Sequence, residues 1–374
     1  MDDFADEFPL NSELCYLNHA AVSPWPRRTA NAVQAFAKEN MNFGAAHYLQ
    51  WLKVEKTLRQ QLQTLINAPA TSDIALQKNT SEGLSVIAYG LQWQSGDHII
   101  ITKQEFPSNR IVWESLASKG VELSLVDIDC DNPEQAIIDA TSNRTRLISI
   151  SSVQYGTGLR LNLEVIGQHC QQNSILYCID AIQSIGAIPI DVQQCHADFV
   201  VADAHKWMLG PEGVALFYIA EKARDQLSLN QYGWHMVEHS GQFDRQEWEI
   251  AKSARRFECG SPNMTGIHAL SASLSLLLEI GINNVEQLIN TKINFIINAL
   301  LKRDEIRLLS PTKKAQQSGI VTFQHRHIPS QQLYQSLMDQ GVICANRGGG
   351  VRFSPHFYTP EPVLEKALAL IPSA

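Results

Sequence analysis

From about residue 73 the sequence alternates short apolar segments with amphipathic segments of helical period, and few folds accommodate such an alternation. The segments "DHIIIT", "TRLISISSV", "ILYCID" and "ADFVVAD" have the composition of buried strands, whereas "PSNRIVWESLASK" and "NLEVIGQHCQQN" have the period of helices. Strands that alternate with helices form a mostly parallel sheet, and strands covered by helices on both faces are apolar throughout. We therefore predict an α/β fold, a mostly parallel sheet with helices on both faces.

The sequence changes in character after about residue 260. Two long amphipathic helices are predicted, "GIHALSASLSLLLEI" and "NNVEQLINTKINFIINALLKR", and the short strands "GIVTFQHR" and "GVRFSP" follow them. The 374 residues suffice for about two domains of ~150 residues each. We predict a large domain over residues 15–259 and a smaller α+β domain made of residues 1–14 and 260–374.

Composition restricts the partners of the chain. The net charge is −8 and no basic cluster carries interleaved aromatic residues, so nucleic acid is not an expected partner. The seven cysteines form no CxxC pair and no zinc-type spacing with histidine, which predicts reduced thiols and no metal site. No apolar segment has the length of a membrane span, and the acidic N-terminus lacks the features of a signal peptide. We expect a cytoplasmic protein with no membrane partner.

Polar side chains follow several of the predicted strands at the point where each strand ends. Gln154 follows "LISISSV", Asp180 ends "ILYCID", and Asp203 and Lys206 follow "DFVVA". In open α/β sheets ligands bind at the carboxyl ends of the strands. Lys206, in "DAHKWMLGPEG", is then either a lysine of a surface loop or a reactive amine that forms a Schiff base with a carbonyl.

Pyridoxal phosphate needs a lysine for its aldehyde, a carboxylate for its pyridine nitrogen, donors for its phosphate and a flat group against its ring. Asp180 is the carboxylate one strand before Lys206, and Gln183 can reach the phenolic oxygen. The segment "NTSEGL" places Thr80 and Ser81 at the start of a helix, one of them as its cap, where free N–H groups suit a phosphate. Each of these residues alone is commonly a cap or turn residue, and the hypothesis depends on the set.

The set occurs within sequences that carry a family resemblance. "IDAIQSIGAIPIDV" and "ADFVVADAHKWMLGPEGVALFYI" resemble the class V aminotransferase family of fold-type I pyridoxal-phosphate enzymes. That family includes cysteine desulfurases, selenocysteine lyase, kynureninase and isopenicillin N epimerase. The resemblance extends from "YLNHAAVSP" to "VRFSPHFYTPEPVLEKAL", nearly the whole chain.

The resemblance implies a role for each of the candidate residues. Lys206 resembles the Schiff-base lysine, and Asp180 the partner of the pyridine nitrogen. Gln183 and Gln154 resemble the groups near the phenolic oxygen. Positions for the phosphate and the pocket are implied for Thr80, Ser81, Asp203 and His205, and "RFECGSPN" nominates Gly260 and Ser261 to reach the phosphate of the neighbouring subunit in a homodimer.

The residue that covers the cofactor ring differs from the desulfurase pattern. In "KQEFPSNRIVW" this chain has Phe106-Pro107 where desulfurases typically have a histidine pair. A phenylalanine covers the ring in kynureninase, so the resemblance nominates Phe106. The alternative is that Phe106 is a core residue at the end of a strand.

The substrate end of the pocket has further candidates. The resemblance assigns Arg352 to the carboxylate of a small amino-acid substrate, a task for which the guanidinium geometry is suited. Arg347, in the glycine-rich loop before it, is either a second pocket residue or a solvated loop residue. His19, Tyr155 and Trp234 are candidates for the substrate wall, as are His235 and His356, although isolated residues of these types are more often structural.

The reaction is less constrained than the cofactor. A desulfurase presents a thiolate on a mobile loop ahead of the carboxylate-binding arginine, but "GVICANRGGGVRFS" is short and its one cysteine, Cys344, ends an apolar segment. We therefore predict a C–S lyase or aminotransferase reaction through a quinonoid, without the desulfurase cysteine loop and with Lys206 as the general acid and base. Epimerisation, a kynureninase-like hydrolysis and a non-catalytic binding protein remain alternatives. A nucleotide-dependent enzyme is disfavoured because GxGxxG and GxxxxGK[ST] are missing.

Overall fold

The computed structural model describes residues 4–373, and its centre is a seven-stranded sheet. The order of the strands across this sheet is β2-β8-β7-β6-β5-β3-β4, and β8 alone runs against its neighbours. The predicted mostly parallel sheet is therefore confirmed. Its strands are β2 (Ile74–Gln77), β3 (His98–Thr102), β4 (Glu122–Val126), β5 (Thr145–Ser151), β6 (Leu176–Asp180), β7 (Phe199–Asp203) and β8 (Ala215–Ile219), preceded along the chain by β1 (Cys15–Tyr16).

Helices cover both faces of this sheet, as the uniformly apolar strands require. Two hydrophobic clusters, one on each face, contain alternate residues of the same strands, for example Ile100 on one side and Ile99 on the other. The helices of this part of the chain are α1 (Arg27–Phe43), α2 (Tyr48–Leu65), α3 (Thr80–Gly90), α4 (Ser108–Glu114), α5 (Pro133–Asp139), α6 (Leu163–Gln172) and α7 (Glu221–Arg224).

The start of α3 differs slightly from the sequence prediction. Asn79 is the N-cap, because its side-chain oxygen accepts the N–H of Glu82 at 2.8 Å. The Glu82 carboxylate accepts the N–H of Lys78 at 2.7 Å in return. Thr80 and Ser81 are thus the first helical residues, and neither is the cap. Their backbone N–H groups lie in the first turn, where helices leave donors unpaired.

The C-terminal part of the chain forms a second, antiparallel sheet of order β12-β13-β10-β9. The N-terminal strand β1 pairs with a strand from this part, β11. The elements concerned are α8 (Met264–Ile280), α9 (Ile282–Leu300), β9 (Ile306–Leu308), β10 (Val321–His325), α10 (Ser330–Asp339), β11 (Val342–Ile343), β12 (Ala345–Arg347), β13 (Gly350–Phe353) and α11 (Glu361–Ala369).

The two sheets share one hydrophobic core. The larger hydrophobic cluster includes Ile148 of the first sheet and Phe323 of the second. Helix α8 packs against α1 and α2 beside the first sheet, and Ser273 donates a hydrogen bond to the carbonyl of Leu209 at 2.8 Å. Helix α8 follows residue 260 but contacts elements of the larger part. The predicted domain division at residue 260 stays a prediction. Within residues 4–373 no single helix has the length and apolar character of a membrane span. Helices α8 and α9 reach that length and hydropathy only when they are taken together, and this pair is bent by 82°.

Candidate active site

The carboxyl ends of three adjacent strands bring the candidate residues together. Strand β7 ends at Asp203, β6 ends at Asp180, and Gln154 lies three residues beyond the end of β5. Because these strands are parallel neighbours, the three side chains occupy one edge of the sheet. Lys206 follows β7 in the turn that leads to β8. The structure therefore brings these strand-end residues together, and their role as a ligand site stays a prediction.

Lys206 is partly buried, and its amine lies 5.7 Å from the centroid of the Phe106 ring. Burial lowers the pKa of Lys206 from 10.5 to about 8; the charge of Asp180 opposes this effect and that of Arg352 adds to it. A lysine with such a pKa is unprotonated in a useful fraction near neutral pH. The free amine is the form that attacks a carbonyl.

Asp180 is a buried carboxylate with one hydrogen bond from the protein. Its Oδ1 accepts the N–H of Ile182 at 3.1 Å, and the residue is 2% exposed. Burial, reinforced by the charge of Glu105, raises the pKa of Asp180 to about 7. A buried carboxylate of this kind gains a partner when a protonated heterocyclic nitrogen arrives. The residue therefore fits the pyridine nitrogen of pyridoxal phosphate.

The end of β7 and the start of α3 are joined by a reciprocal pair of hydrogen bonds. The N–H of Thr80 donates to Asp203 Oδ2 at 3.2 Å, and the N–H of Asp203 donates to Thr80 Oγ1 at 3.1 Å. Ser81 lies beside this pair, exposed, with its hydroxyl donating to Ser108 at 2.8 Å. The N-terminus of α3, with the Ser81 hydroxyl exposed beside it, fits a phosphate because the positive end of a helix dipole favours an anion. Burial raises the pKa of Asp203 to about 6.

His205 lies between Asp203 and Lys206 and is half-buried. Burial and the charge of Lys206 lower the pKa of His205 to about 4, so its ring is neutral near pH 7. Its Nδ1 is buried and has no hydrogen-bond partner among the residues of the structure's described range. A neutral imidazole with a free nitrogen can still donate to a ligand oxygen.

Phe106 lies in the loop after β3 and faces the lysine. Its ring centroid is 5.7 Å from Lys206 Nζ, and the ring meets Tyr155 edge-on with the centroids 5.2 Å apart. The residue is 41% exposed, so the alternative of a core phenylalanine is wrong. The open face of the ring is available to a flat ligand.

The two glutamines nominated for the phenolic oxygen differ in their bonding. The Gln183 amide donates to the carbonyl of Ala20 at 3.0 Å and accepts the indole N–H of Trp207 at 2.9 Å. Gln154 donates through Nε2 to Thr102 Oγ1 at 3.2 Å, and its Oε1 is buried without a partner in the described part of the chain. Gln154 thus has the carbonyl that remains free to accept a hydrogen bond.

Arg352 lies on β13, beside the sheet edge, and is 3% exposed. Its Nη1 donates to the carbonyl of Tyr155 at 2.7 Å, while Nε has no partner within residues 4–373. Burial and the charge of Arg347 lower the pKa of Arg352 to about 10, and the charge of Arg352 in turn helps to lower the pKa of Lys206. A buried guanidinium without a carboxylate partner is costly, and an anionic ligand would compensate it.

Arg347 shares a face of the β12–β13 hairpin with Arg352. Arg352 pairs with Ala345 and Arg347 pairs with Gly350, so alternation along β12 places both arginines on one side, at diagonal positions about 7 Å apart. Gly350 has no side chain to separate them. Arg347 is exposed, and within residues 4–373 its side chain donates only to the carbonyl of Asn346.

The other candidates for the substrate wall occupy different environments. His19 is fully buried, with its two ring nitrogens hydrogen-bonded to the carbonyl of Ser354 and the hydroxyl of Tyr358, so it supports the wall from behind. Burial lowers the pKa of His19 to about 4. His356 is equally buried, with Nε2 on the Trp207 carbonyl. Trp234 is 40% exposed, and the rings it meets are His235 and Phe243.

Gly260 and Ser261 line a cavity of about 200 Å³ that also touches Lys78 and Glu82, next to the start of α3. Behind that cavity Glu55, His235 and Glu258 lie close enough for a metal ion. The guanidinium of Arg59, however, already bonds both carboxylates at 2.6 to 2.8 Å. This cluster is therefore an ion-pair network that ties α2 to the segment before Gly260.

Sequence reasoning missed Glu105, a carboxylate that lies three residues beyond the end of β3, just before Phe106. The residue is 5% exposed and affects the pKa of Asp180. The signal that could have found it is an acidic residue in the loop after a buried strand, at the same sheet edge as the other strand-end residues. Trp207, whose indole N–H donates to Gln183 Oε1, directly follows Lys206 and was not among the predicted residues.

Comparison with known proteins agrees with the geometry. The family model described as Aminotransferase class-V matches residues 15–359. A probable cysteine desulfurase of Pyrococcus abyssi is 26% identical over 99% of this chain and 96% of its own length. The solved structure of the cystine C–S lyase C-DES with cysteine persulfide has a TM-score of 0.89 at 23% identity, covering 97% of this chain and 98% of that one. The C-DES variant K223A, with glycine linked to its pyridoxal-phosphate cofactor, has a TM-score of 0.90 at 22% identity, covering 99% of each chain.

Proposed function

Because the chain belongs to the class-V aminotransferase family of pyridoxal-phosphate enzymes, we propose that it breaks the C–S bond of a small sulfur-containing amino acid without forming a persulfide on its own cysteine. The reaction is an elimination across Cα–Cβ. With cysteine and water it yields sulfide, pyruvate and ammonia, so no oxidant or reductant is required. A desulfurase would yield alanine and transfer the sulfur to a protein thiol.

The observation that carries this proposal is the environment of Cys344. It is the cysteine nearest in sequence before Arg352, yet it is 2% exposed, and burial raises its pKa to about 12. The thiolate is the nucleophilic form of cysteine, so this side chain is unsuited to attack a substrate sulfur. The residues between Cys344 and Arg352 include no other cysteine.

Cys259 is the other cysteine near the cleft by sequence. Its thiol is partly exposed and donates to Gln231 Oε1 at 3.3 Å, beside the cavity that Gly260 lines. It follows Glu258, which Arg59 fixes, and it is not on the hairpin that carries Arg352. A short hairpin with a tight Gly348–Gly349 turn lacks the length of a mobile loop.

Substrate binding is assigned to the two arginines of the hairpin. Arg352 is placed to hold the α-carboxylate through its free Nε and a terminal nitrogen, since planar guanidinium and carboxylate groups pair well. Arg347, on the same face, stands where the distal end of a longer substrate would lie. Phe106 is assigned to cover one face of the cofactor ring and to exclude water from that face.

Pyridoxal phosphate, when bound, stabilises negative charge at the substrate Cα. The chain supplies the proton movements. Lys206 Nζ has a pKa of about 8, which suits an acid and base working near neutral pH, and it can take the Cα proton and return it to a leaving group. Asp180 holds a proton at the pyridine nitrogen. Thr80, Ser81 and His205 are assigned to the phosphate.

We extend the proposal to assembly and location. Gly260 and Ser261 line an open cavity beside the start of α3, which suits a segment completing the site of a second copy in a homodimer. The reduced cysteines and the acidic net charge fit a cytoplasmic enzyme without membrane or nucleic-acid partners.

Product analysis tests the proposal. Purified protein loaded with pyridoxal phosphate is incubated with cysteine, cystine or alanine, and sulfide, pyruvate, alanine and ammonia are measured. We expect sulfide and pyruvate in equal amounts from cysteine, and none from Lys206→Ala. Alanine formed together with a protein persulfide would contradict the proposal, and accumulation of the pyridoxamine form would mean transamination instead.

A further inference from the structure

Glu105 is a buried carboxylate that the proposed reaction does not use. It accepts the N–H of Ser151 at 2.9 Å, the hydroxyl of Thr102 at 3.0 Å and, more weakly, Gln154 Nε2 at 3.4 Å, and the Ser151 hydroxyl donates to its second oxygen. Within the described residues no cation neutralises it. All its neighbours donate, so the group is set up as an acceptor.

The hydrogen bonds around Glu105 fix which end of the Gln154 amide points where. The single hydroxyl proton of Thr102 is directed to Glu105, so Thr102 Oγ1 can only accept from Gln154. The Glu105 oxygen beside it also accepts. Since both neighbours of the Gln154 amide are acceptors, its NH2 must face them and its carbonyl oxygen must point away. That oxygen, Oε1, is buried and unpartnered in the part of the chain that the structure describes.

The strand order indicates which part of the cofactor Oε1 meets. Asp180 on β6 lies between the β7 side, with Asp203 and Thr80, and the β5 side, with Gln154. In pyridoxal phosphate the phosphate arm and the phenolic oxygen flank the aldehyde carbon on opposite sides. With the ring nitrogen at Asp180 and the phosphate at the start of α3, the phenolic oxygen is directed toward β5 and hence toward Gln154.

We propose that Glu105 is a positioning residue that holds the Gln154 amide so that its carbonyl, and not its NH2, faces the phenolic oxygen of the bound cofactor. This inference rests on the cofactor placement of the proposed function. An acceptor oxygen at that point disfavours the phenolate, because its lone pairs face the negative charge. The proton shared between the phenolic oxygen and Lys206 Nζ is therefore retained to higher pH.

Other charged groups also face this region. They lie on several elements around the amide and contribute to any titration there: Asp180 from β6, Asp203 and Lys206 from the end of β7, and Arg352 from β13, whereas burial keeps the thiol of Cys178 on β6 uncharged. A change of charge at Glu105 would act on the cofactor directly as well as through Gln154. The test must separate these two routes.

The test is a pH titration of the visible absorbance of the cofactor-loaded protein. Glu105→Gln introduces an NH2 group and removes a charge, whereas Thr102→Val removes the hydroxyl link without any change of charge and is the matched control. Gln154→Leu removes the carbonyl itself. Each of the first two substitutions is made in the natural background and again together with Gln154→Leu.

We expect Glu105→Gln to lower the pH midpoint of the absorbance change by about one unit, which is a tenfold change in the acid constant. Thr102→Val should also lower this midpoint. In the Gln154→Leu background neither substitution should shift the midpoint further by more than about a third of that amount. Equal shifts in both backgrounds would mean that Glu105 acts through its charge alone, and would overturn the inference. So would an unchanged midpoint in Thr102→Val.

Two further features keep the result decisive. If Glu105→Gln does not fold, as judged by circular dichroism, the charge-neutral pair Thr102→Val and Gln154→Leu decides the question by itself. The titration does not depend on turnover. If the midpoints shift as expected but cysteine yields no sulfide, only the proposed reaction is contradicted. If sulfide forms but the midpoints do not shift, only the role of Glu105 is contradicted.

Discussion

Replacing Asp180 by asparagine should stabilise the cofactor-free protein at alkaline pH while weakening its hold on the cofactor. In the folded chain the pKa of Asp180 is raised, first by burial and then by the charge of Glu105. A carboxyl with a raised folded pKa leaves stability intact below its unfolded pKa, and stability falls as the pH rises through the folded value. Asparagine does not ionise, so the variant does not undergo this fall in stability.

The magnitude follows from the two pKa values. The rise from 3.8 to about 7 is about three units, and ~1.4 kcal/mol per unit gives an upper limit of ~4 kcal/mol. The ammonium of Lys206 offsets part of this cost. We therefore expect Asp180→Asn to raise the free energy of unfolding by about 2 kcal/mol near pH 8 and by less than about 1 kcal/mol near pH 4.5. The affinity for pyridoxal phosphate should fall at least about tenfold, because the neutral amide cannot pair with a protonated pyridine.

Urea unfolding of the cofactor-free protein at both pH values measures the effect. Asp198→Asn is the matched control: Asp198 is also buried, but it pairs with Lys222 at 2.8 Å and accepts the N–H of Tyr177. That substitution should destabilise the protein near pH 8. A gain for Asp180→Asn that is the same at both pH values, or a loss near pH 8, would refute the reasoning.

The remaining predictions concern the walls of the cleft. Phe106→Ala should weaken cofactor retention about tenfold in equilibrium dialysis, because the ring that faces Lys206 is removed; unchanged retention would exclude ring contact. Arg352→Lys should lower kcat/KM about a hundredfold, mainly through KM, since a lysine cannot bind a carboxylate with two parallel bonds. An effect confined to kcat would contradict a binding role. Cys344→Ala should leave sulfide release within about threefold of the natural protein and its stability lowered by about 1 kcal/mol, as for any small buried group. Loss of sulfide release in that variant, with the fold intact, would show that the thiol takes part.

The central sheet could be predicted because its information is local. In a run such as "ADFVVAD" every position between the two aspartates is apolar, and that property indicates a strand covered on both faces. The crossover rule then places Asp180, Asp203 and Lys206 at one edge without any knowledge of side-chain contacts. The family resemblance added the cofactor, which neither composition nor spacing contains.

Other features depend on contacts between distant segments, and sequence patterns do not report them. His19 was a candidate for the substrate wall, but its Nε2 is hydrogen-bonded to the hydroxyl of Tyr358, a residue from the far end of the chain. The orientation of Gln154 follows from Thr102 and Glu105, about fifty residues earlier in the chain. Asn79 is the cap of α3 because its backbone is extended there, whereas Thr80 is already helical.

The most direct test of the account locates the cofactor. Protein loaded with pyridoxal phosphate is reduced with borohydride, which fixes the cofactor to the amine that holds it, and the digested peptides are analysed by mass spectrometry. We predict a single labelled peptide that carries the cofactor on Lys206, and no label after loading Lys206→Ala. Label on another lysine, or unchanged labelling of that variant, would contradict the site described here.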